Sequence, residues 1–240
     1  MINGWSPEFV VTVGDNNYPD GAQGTIDNNI GRYYQQYIGN YTGSFGAGSP
    51  VNRFFPAAGN HDWVTPGLTP YLGYFTLPGN ERYYSVDKGV VDLFIVDSDS
   101  HEPDGIASNS TQAQWLQSAL AASNACWKLV FFHHAAYSSG MHGSTPSLRW
   151  PYESWGADAV LAGHDHTYER LQVGGIPHFV NGLGGAGSYN FGTILAESVV
   201  RYNANGGAMR IDAQQGQITF AFINQSGSVV DSLTRTKTCQ

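Results

Sequence analysis

Four short clusters of polar side chains hold the residues of this sequence that could carry out chemistry. They are Gly14-Asp15, Gly59-Asn60-His61, His133-His134 and Gly163-His164-Asp165-His166. Their carboxylate, amide and imidazole groups form a mixed oxygen and nitrogen donor set without thiolate, which suits Zn, Fe or Mn. A carboxylate can bridge two such cations, and a two-metal site polarises a phosphoryl oxygen and generates hydroxide at neutral pH. The residue types therefore indicate a metal site for phosphoryl chemistry.

The spacing within the fourth cluster separates ligands from a non-ligand. His164 and His166 are two residues apart at the end of a predicted strand, so their side chains share one face and Asp165 points the other way. We expect the two histidines, and not Asp165, to bind metal. A glycine opens three of the four clusters and permits the sharp turn from strand to loop that brings the side chains together.

A short apolar strand precedes each cluster. The four strands are predicted at residues 9–13, 54–58, 128–132 and 157–162. In open α/β sheets, ligands bind beyond the carboxyl ends of parallel strands. Strand ends from distant parts of the chain are therefore expected to converge on one site.

The other predicted elements complete an α/β architecture. Apolar spacing predicts helices over residues 26–38 and 111–122, the second with Ser110 or Thr111 as its N-cap. A hairpin is predicted over residues 82–86 and 90–96, and further strands at 177–180, 208–212, 217–223 and 229–233. Strand–helix alternation followed by antiparallel strands indicates two packed sheets with helices outside. No linker or repeat is evident, so residues 1–240 are predicted to form a single domain.

The composition narrows the classes of function. Charged residues are 12% of the 240-residue chain, and the net charge of −8 argues against a nucleic-acid partner, which needs a basic face. No run of 18 apolar residues is present, so no membrane span is expected, and the chain shows no signal peptide after Met1. Few lysines with abundant Asn, Gly and Tyr suggest a secreted or otherwise extracytoplasmic protein. Cys126 and Cys239 either pair or are two unrelated thiols, and the sequence leaves both readings open.

The four clusters, in their order, resemble the motifs of the calcineurin-like metallophosphoesterases, and of the purple acid phosphatase branch in particular. The matching segments are GDNNY at 14–18, GNHD at 59–62, FHH at 132–134 and GHDH at 163–166. They extend from residue 14 to residue 166 of the 240-residue chain. The resemblance implies an α/β fold arranged as a four-layer αββα sandwich, with two mixed sheets flanked by helices.

The resemblance also implies two metal ions, iron with iron, zinc or manganese. Asp15 corresponds to the bridging carboxylate, and Tyr18 to the tyrosinate that binds ferric iron in the purple enzymes. His166 is expected on that same metal. The ligands expected on the second metal are Asn60, His133 and His164.

The same resemblance implies roles for further histidines. The chemistry alone does not choose between His133 and His134, and alignment with the family's Gly-His-x-Pro pattern favours His133. His61 and His142 match two histidines that lie outside the metal ligands in the acid phosphatases. Their implied roles are to hold phosphate and to protonate the leaving alkoxide.

One motif of the family is not found. The family pattern opens with a strand that carries a ligand Asp upstream of GDNNY, whereas only 13 residues precede Gly14 here and none is Asp. We therefore expect the first strand to be missing, the metal beside Tyr18 to bind weakly, and the second metal to bind better. A truncated chain, a mis-assigned start and a shortened protein would each explain this.

Several other polar residues are not assigned to the site. Asp97-Ser98-Asp99 is interpreted as a turn at a strand end, and Glu169-Arg170 as a local ion pair. The segment at 182–187 is interpreted as a loop, because a dinucleotide site needs a following helix. His101, His134 and His178 are expected at the surface or next to the ligands. Arg53 and Arg149 are candidates to meet a substrate phosphate.

The predicted function is hydrolysis of a small-molecule phosphate ester, with hydroxide generated at the two metals attacking phosphorus. Monoesters are favoured, because the histidines at 61 and 142 match the acid phosphatases. One alternative is a truncated family member that binds one metal or phosphate and turns over little. Another is a phosphodiesterase or nucleotidase on the same fold. The sequence predicts neither the physiological substrate nor the oligomeric state.

Overall fold

The strands of the computed structural model, which describes residues 1–239, form three hydrogen-bonded sheets. In chain order they are β1 (Val10–Thr12), β2 (Phe54–Pro56), β3 (Tyr84–Lys88), β4 (Val91–Ile95), β5 (Trp127–Phe131), β6 (Ala159–Ala162), β7 (Tyr168–Val173), β8 (Ile176–Asn181), β9 (Ser198–Tyr202), β10 (Gly207–Gln214), β11 (Gln217–Asn224) and β12 (Val229–Thr236). Seven strands form one mixed sheet in the order β3-β4-β5-β6-β8-β7-β9. The pair β1-β2 is parallel, and β10-β11-β12 is antiparallel.

The helices are short, with one exception. The α-helices are α1 (Arg32–Tyr34), α2 (Asn60–Trp63), α3 (Thr69–Tyr74) and α4 (Thr111–Ala122), and 3-10 turns lie at Ile2–Trp5, Gln35–Tyr37, Pro66–Leu68 and Pro146–Leu148. The helix predicted over 26–38 is present but irregular, because a π turn at Asp27–Gly31 precedes α1. At α4 the Ser110 hydroxyl accepts from the Ala113 N–H at 3.2 Å, which confirms it as the N-cap.

Two hydrophobic cores lie on opposite faces of the seven-stranded sheet. In β4, Leu93 and Ile95 face the core shared with the two smaller sheets, whereas Phe94 faces the core beneath α4. Phe75, directly after α3, stacks on Phe54 of β2 within the first of these cores. The molecule therefore has the predicted sandwich of layers. The short helices form one outer layer, the two smaller sheets and the seven-stranded sheet form the inner layers, and α4 forms the other outer layer. The layer opposite the large sheet consists of two pieces, since the smaller sheets share no strand pair among the described residues.

Two strands of the large sheet, β7 and β9, were not predicted from the sequence. Both lack a clear apolar alternation, and β9 is half exposed at the sheet edge. Cys126 and Cys239 form a disulfide with a Cα–Cα distance of 5.3 Å, which ties the end of the chain to the start of β5. Among the described residues, no helix is both long and apolar enough to cross a membrane.

Candidate metal centre

The carboxyl ends of β1, β2, β5 and β6 meet where the two layers of strands face each other. The His133 Nδ1 atom lies 2.8 Å from the Val13 carbonyl, so the loop after β5 is bonded to the end of β1. The Gly163 N–H donates to the His133 carbonyl at 2.9 Å, which joins the loop after β6 to the same point. The strand ends therefore converge as predicted.

The backbone is strained at two of these strand ends. Asp15 and His164 adopt positive φ angles, 52° and 67°, in the left-handed region that non-glycine residues rarely occupy. Gly14, at φ 90°, lies so close to His133 that a side chain at position 14 would overlap the imidazole. Strained backbone of this kind persists where the surrounding structure holds it, and it clusters at functional sites.

One group of donor atoms surrounds the Tyr18 hydroxyl. This hydroxyl lies 3.0 Å from Asp15 Oδ2 and 3.1 Å from His166 Nε2. His166 Nδ1 lies 2.8 Å from the Gly187 carbonyl, which can only accept, so the proton is on Nδ1 and the Nε2 lone pair faces Tyr18. The loop at 182–187 thus orients a predicted ligand.

A second group of donor atoms surrounds His133 Nε2. That nitrogen lies 3.0 Å from Asn60 Oδ1, 3.1 Å from His164 Nδ1 and 3.2 Å from Asp15 Oδ2. Because Nδ1 of His133 donates to the Val13 carbonyl, its Nε2 presents a lone pair to these other acceptors. Lone pairs that converge in this way need a cation between them, and an oriented imidazole is typical of metal ligands. The donor set therefore fits a metal ion.

The electrostatics of the two groups favour positive charge. Burial alone would raise the pKa of Asp15, but the hydrogen bond and charge of His133 outweigh it and hold that pKa well below its usual range. Burial disfavours the charged form of His133, yet Asp15 raises the pKa of this imidazole above its ordinary value. Burial, followed by the charge and hydrogen bond of Asp15, raises the pKa of Tyr18. A tyrosinate at position 18 therefore requires a cation beside it.

The two histidines predicted outside the ligand set each lie beside a proposed ligand. The His61 ring lies 4.3 Å from the Tyr18 ring, and its backbone N–H donates to Asp15 Oδ1 at 2.9 Å. The His142 ring lies 4.2 Å from the His164 ring and is exposed. Each histidine is thus beside one group of donor atoms and open to solvent.

The structure adds residues that the sequence did not assign. Asp62 Oδ2 accepts from the Asn16 backbone and side-chain amides and from the Gly59 N–H, at 2.9–3.1 Å, and so ties the loop after β1 to the loop after β2. The Tyr189 ring stacks on His166 at 4.1 Å. Nothing in the local sequence pattern around Tyr189 points to this contact.

His134 lies next to the proposed ligands, one of the two positions that the sequence left open for it. One nitrogen from each of His133, His134 and His164 lies within 4.8 Å of the others. Burial, followed by the charge of His133, lowers the pKa of His134 to about 4 and that of His164 to about 3. Ser98, expected to be part of a simple turn, contacts His134 Nδ1 at 3.0 Å.

Two interpretations of side chains outside the site are wrong. Glu169 and Arg170 do not pair, because successive strand residues point to opposite faces; Arg170 instead contacts Asp231 at 2.7 Å. His178 is not at the surface or next to the ligands, since it is buried against Tyr137 and Tyr152.

The two arginines considered for phosphate binding make contacts elsewhere. Arg53 donates to the Gln36 carbonyl at 2.9 Å and lies over Tyr37. Arg149 lies over the ring of Tyr137. These contacts are with neither group of donor atoms, so the structure gives no support to either arginine as a phosphate ligand.

Comparisons with known proteins identify the family. The sequence model of the calcineurin-like phosphoesterases matches residues 2–168. The chain is 27% identical to purple acid phosphatase 4 of Arabidopsis thaliana, over 92% of this chain and 71% of that protein. It is 29% identical to Fe(3+)-Zn(2+) purple acid phosphatase 12 of the same plant, over 76% of this chain and 41% of that protein.

A solved structure supports the fold. The purple acid phosphatase PPD1 from yellow lupin, Lupinus luteus, superposes with a TM-score of 0.69 at 20% identity, covering 78% of this chain and 41% of that one. The chain therefore spans between two fifths and about seven tenths of the length of these proteins. On the match over residues 2–168, the chain belongs to the calcineurin-like phosphoesterases, a family of metal-dependent phosphatases.

Proposed function

We propose that this protein is a dinuclear-metal phosphomonoesterase of the acid phosphatase type. The observation that carries the proposal is the position of Asp15 Oδ2, which lies 3.0 Å from the Tyr18 hydroxyl and 3.2 Å from His133 Nε2. One carboxylate oxygen is thus common to both groups of donor atoms. A carboxylate in this position can bridge two metal ions, as in a two-metal hydrolytic site.

The proposed ligands divide between two metal positions. Asp15 would bind the ions at both positions. Tyr18 and His166 would bind the first ion, and the second ion would have three further ligands. Those ligands are Asn60, His133 and His164. When bound, the two ions supply positive charge to the phosphoryl oxygens and lower the pKa of a water molecule. Iron paired with iron, zinc or manganese suits this donor set, and one relative is named for an Fe(3+)-Zn(2+) pair.

The residues of the chain perform the remaining steps. His61, beside Tyr18, holds a phosphoryl oxygen from one side of the site. His142, beside His164, donates a proton to the leaving alkoxide from the other side. Both side chains are accessible to a substrate, so a small phosphate monoester can reach them.

A second candidate is a protein that binds one metal well and turns over little. The observation that favours it is the unequal number of donor side chains. The group around His133 Nε2 has four, whereas the group around Tyr18 has three. Fewer ligands at the first position would give weaker binding there.

Hydrolysis of p-nitrophenyl phosphate by the purified chain, with Fe, Zn or Mn added, tests the proposal together with metal analysis. We expect turnover with two ions bound, and loss of both turnover and metal in His133→Ala. His101→Ala, at an exposed histidine, is the matched control and should behave as wild type. One tightly bound ion without turnover would support the second candidate, and turnover of a bis-ester above that of the monoester would support a diesterase.

We also propose that the protein works outside the cytoplasm. The Cys126–Cys239 disulfide supports this location, because disulfides form and persist in oxidising compartments. Immunodetection of the protein in culture medium and cell fractions tests it. Confinement to the reducing cytoplasm would contradict it.

A further inference from the structure

The Ser98 hydroxyl fixes the tautomer of His134. Ser98 Oγ accepts the backbone N–H of His133 at 3.1 Å and that of His134 at 2.8 Å. These two bonds use both lone pairs of the hydroxyl oxygen. The same oxygen lies 3.0 Å from His134 Nδ1. With both lone pairs used, Ser98 can bond to this nitrogen only by donating its hydroxyl proton. Ser98 therefore donates to Nδ1, and the imidazole proton of His134 is on Nε2.

This tautomer prevents His134 from binding metal. Nδ1 is occupied by the Ser98 hydroxyl proton, and a protonated Nε2 has no lone pair to offer. The close approach to the nitrogens of His133 and His164 would otherwise favour His134 as a ligand. With this hydrogen bonding, His134 instead has a free hydrogen-bond donor, its Nε2–H group.

The Nε2–H group of His134 lies beside the proposed metal centre. The His134 ring lies 4.5 Å from the His164 ring and 4.9 Å from the His133 ring, next to the proposed second metal position. Its Nε2 makes no hydrogen bond to any residue within 1–239, and the ring is half-buried rather than enclosed. Ser98 is buried, so the ring cannot turn away without losing its partner.

We propose that His134 is a substrate-contacting residue, which donates its Nε2–H to a phosphoryl oxygen, with Ser98 as its positioning residue. This inference rests on the proposed function, because it requires a phosphoryl group at the metal centre. Together with His142, it places two donor side chains beside His164, at ring distances of 4.5 and 4.2 Å. A phosphoryl group carries the strong acceptors that such donors match.

Nuclear magnetic resonance of the zinc-loaded, 15N-labelled full chain tests the tautomer. We expect a protonated Nε2 and an unprotonated Nδ1 at His134, and a shift of the Nε2–H signal on titration with inorganic phosphate. A proton on Nδ1 would overturn the inference. Ser98→Ala removes the fixed donor, so both tautomers should appear.

Phosphate binding to His134 variants tests the contact. In His134→Phe we expect the dissociation constant for inorganic phosphate to rise about 10- to 100-fold, the usual effect of losing a hydrogen bond to a charged group. His134→Gln keeps an N–H and should recover part of the affinity, and His101→Phe at the exposed histidine should change nothing.

The metal content of these variants separates the possible outcomes. Loss of zinc in His134→Phe would overturn the inference, because it would make His134 a ligand. Unchanged phosphate affinity would overturn it too. If phosphate binding depends on His134 but the wild-type chain hydrolyses no ester, this inference stands and the proposed function fails.

Discussion

The backbone N–H of His142 donates to Asp165 Oδ1 at 2.8 Å, so a residue between two proposed ligands holds the loop that carries the proposed acid. Asp165 is buried, and its Oδ2 accepts from the Ser138 hydroxyl at 2.5 Å. The loop approaches so closely at Gly140 that a Cβ there would overlap the Asp165 carboxyl. The metal centre and the flanking histidine are thus coupled through one carboxylate.

Replacing Asp165 should impair turnover more than metal binding. Asp165→Ala leaves the His142 N–H without an acceptor, so we expect kcat for p-nitrophenyl phosphate to fall by about 10- to 100-fold, as when an acid–base group loses its position. Asp165→Asn keeps an acceptor oxygen and should retain more activity. Steady-state kinetics with metal analysis check this, and loss of both ions in Asp165→Asn would contradict it.

Tyr18 should give the iron-loaded protein its colour. Burial and Asp15 raise its pKa, which disfavours the phenolate, so we expect the phenolate to form only when a cation lies beside it. We expect a visible charge-transfer band in the wild type and none in Tyr18→Phe. Tyr189→Phe, which alters the ring stacked on His166, is the control and should keep the band. An iron-loaded wild type without colour would rule out Tyr18 as a ligand.

Gly59 should tolerate no side chain. A Cβ at this position would overlap the backbone nitrogen and Oδ1 of Asp15. We expect Gly59→Ala to displace the shared carboxylate and to weaken metal binding at least tenfold. Gly73→Ala, in α3, meets no atom within 4 Å and should stabilise the protein by up to about 1 kcal/mol. Metal titration and urea unfolding distinguish the two, and equal metal affinity in both variants would be evidence against the overlap.

The contact between β7 and β12 should make stability depend on pH. Burial raises the pKa of Asp231, but hydrogen bonds from Arg170 and Tyr168 outweigh burial and lower it. A lowered folded-state pKa stabilises the protein above the unfolded pKa of about 3.9, and this stability is lost as the pH falls through the folded value. At pH 7 we expect Asp231→Asn to cost about 2–3 kcal/mol.

Urea unfolding between pH 7 and pH 3 measures the effect. The difference between wild type and Asp231→Asn should begin to narrow below the unfolded pKa of about 3.9, and it should close as the pH falls through the lower pKa of the folded state. Asp212→Asn breaks an exposed pair with Arg210 and should cost less than about 1 kcal/mol at every pH. A difference for Asp231→Asn that is independent of pH would contradict the ion pair.

The disulfide should contribute strongly to stability. Cys126 and Cys239 are separated by 113 residues, and closing a loop of that length stabilises the folded state by about 4–5 kcal/mol in the chain-entropy model. The double variant Cys126→Ser/Cys239→Ser avoids a free thiol and should lose that amount in urea unfolding. Reduced wild type should lose as much, and unchanged unfolding after reduction would show that the bond is absent or without effect.

The sequence by itself determined the parts of the site that depend on short spacing. A strand end followed by polar residues is a local pattern, so the four clusters, and an N-cap at Ser110 or Thr111, could be predicted from neighbouring residues. The order of the clusters indicated the family. That an upstream ligand strand is missing, and that residues 1–240 form one domain, stay predictions.

The tertiary structure alone decided which distant side chains meet. Ser98 and His134 lie in the loops after β4 and β5, so their contact depends on how β4 lies beside β5. Arg170 and Asp231 lie in β7 and β12, so their contact depends on how the small antiparallel sheet packs on the large one. The tertiary structure also decided that Cys126 and Cys239 pair, which the sequence had left open. Local spacing limits the direction of a side chain but carries no distance between elements, so only the stacking of the sheets could place these residues.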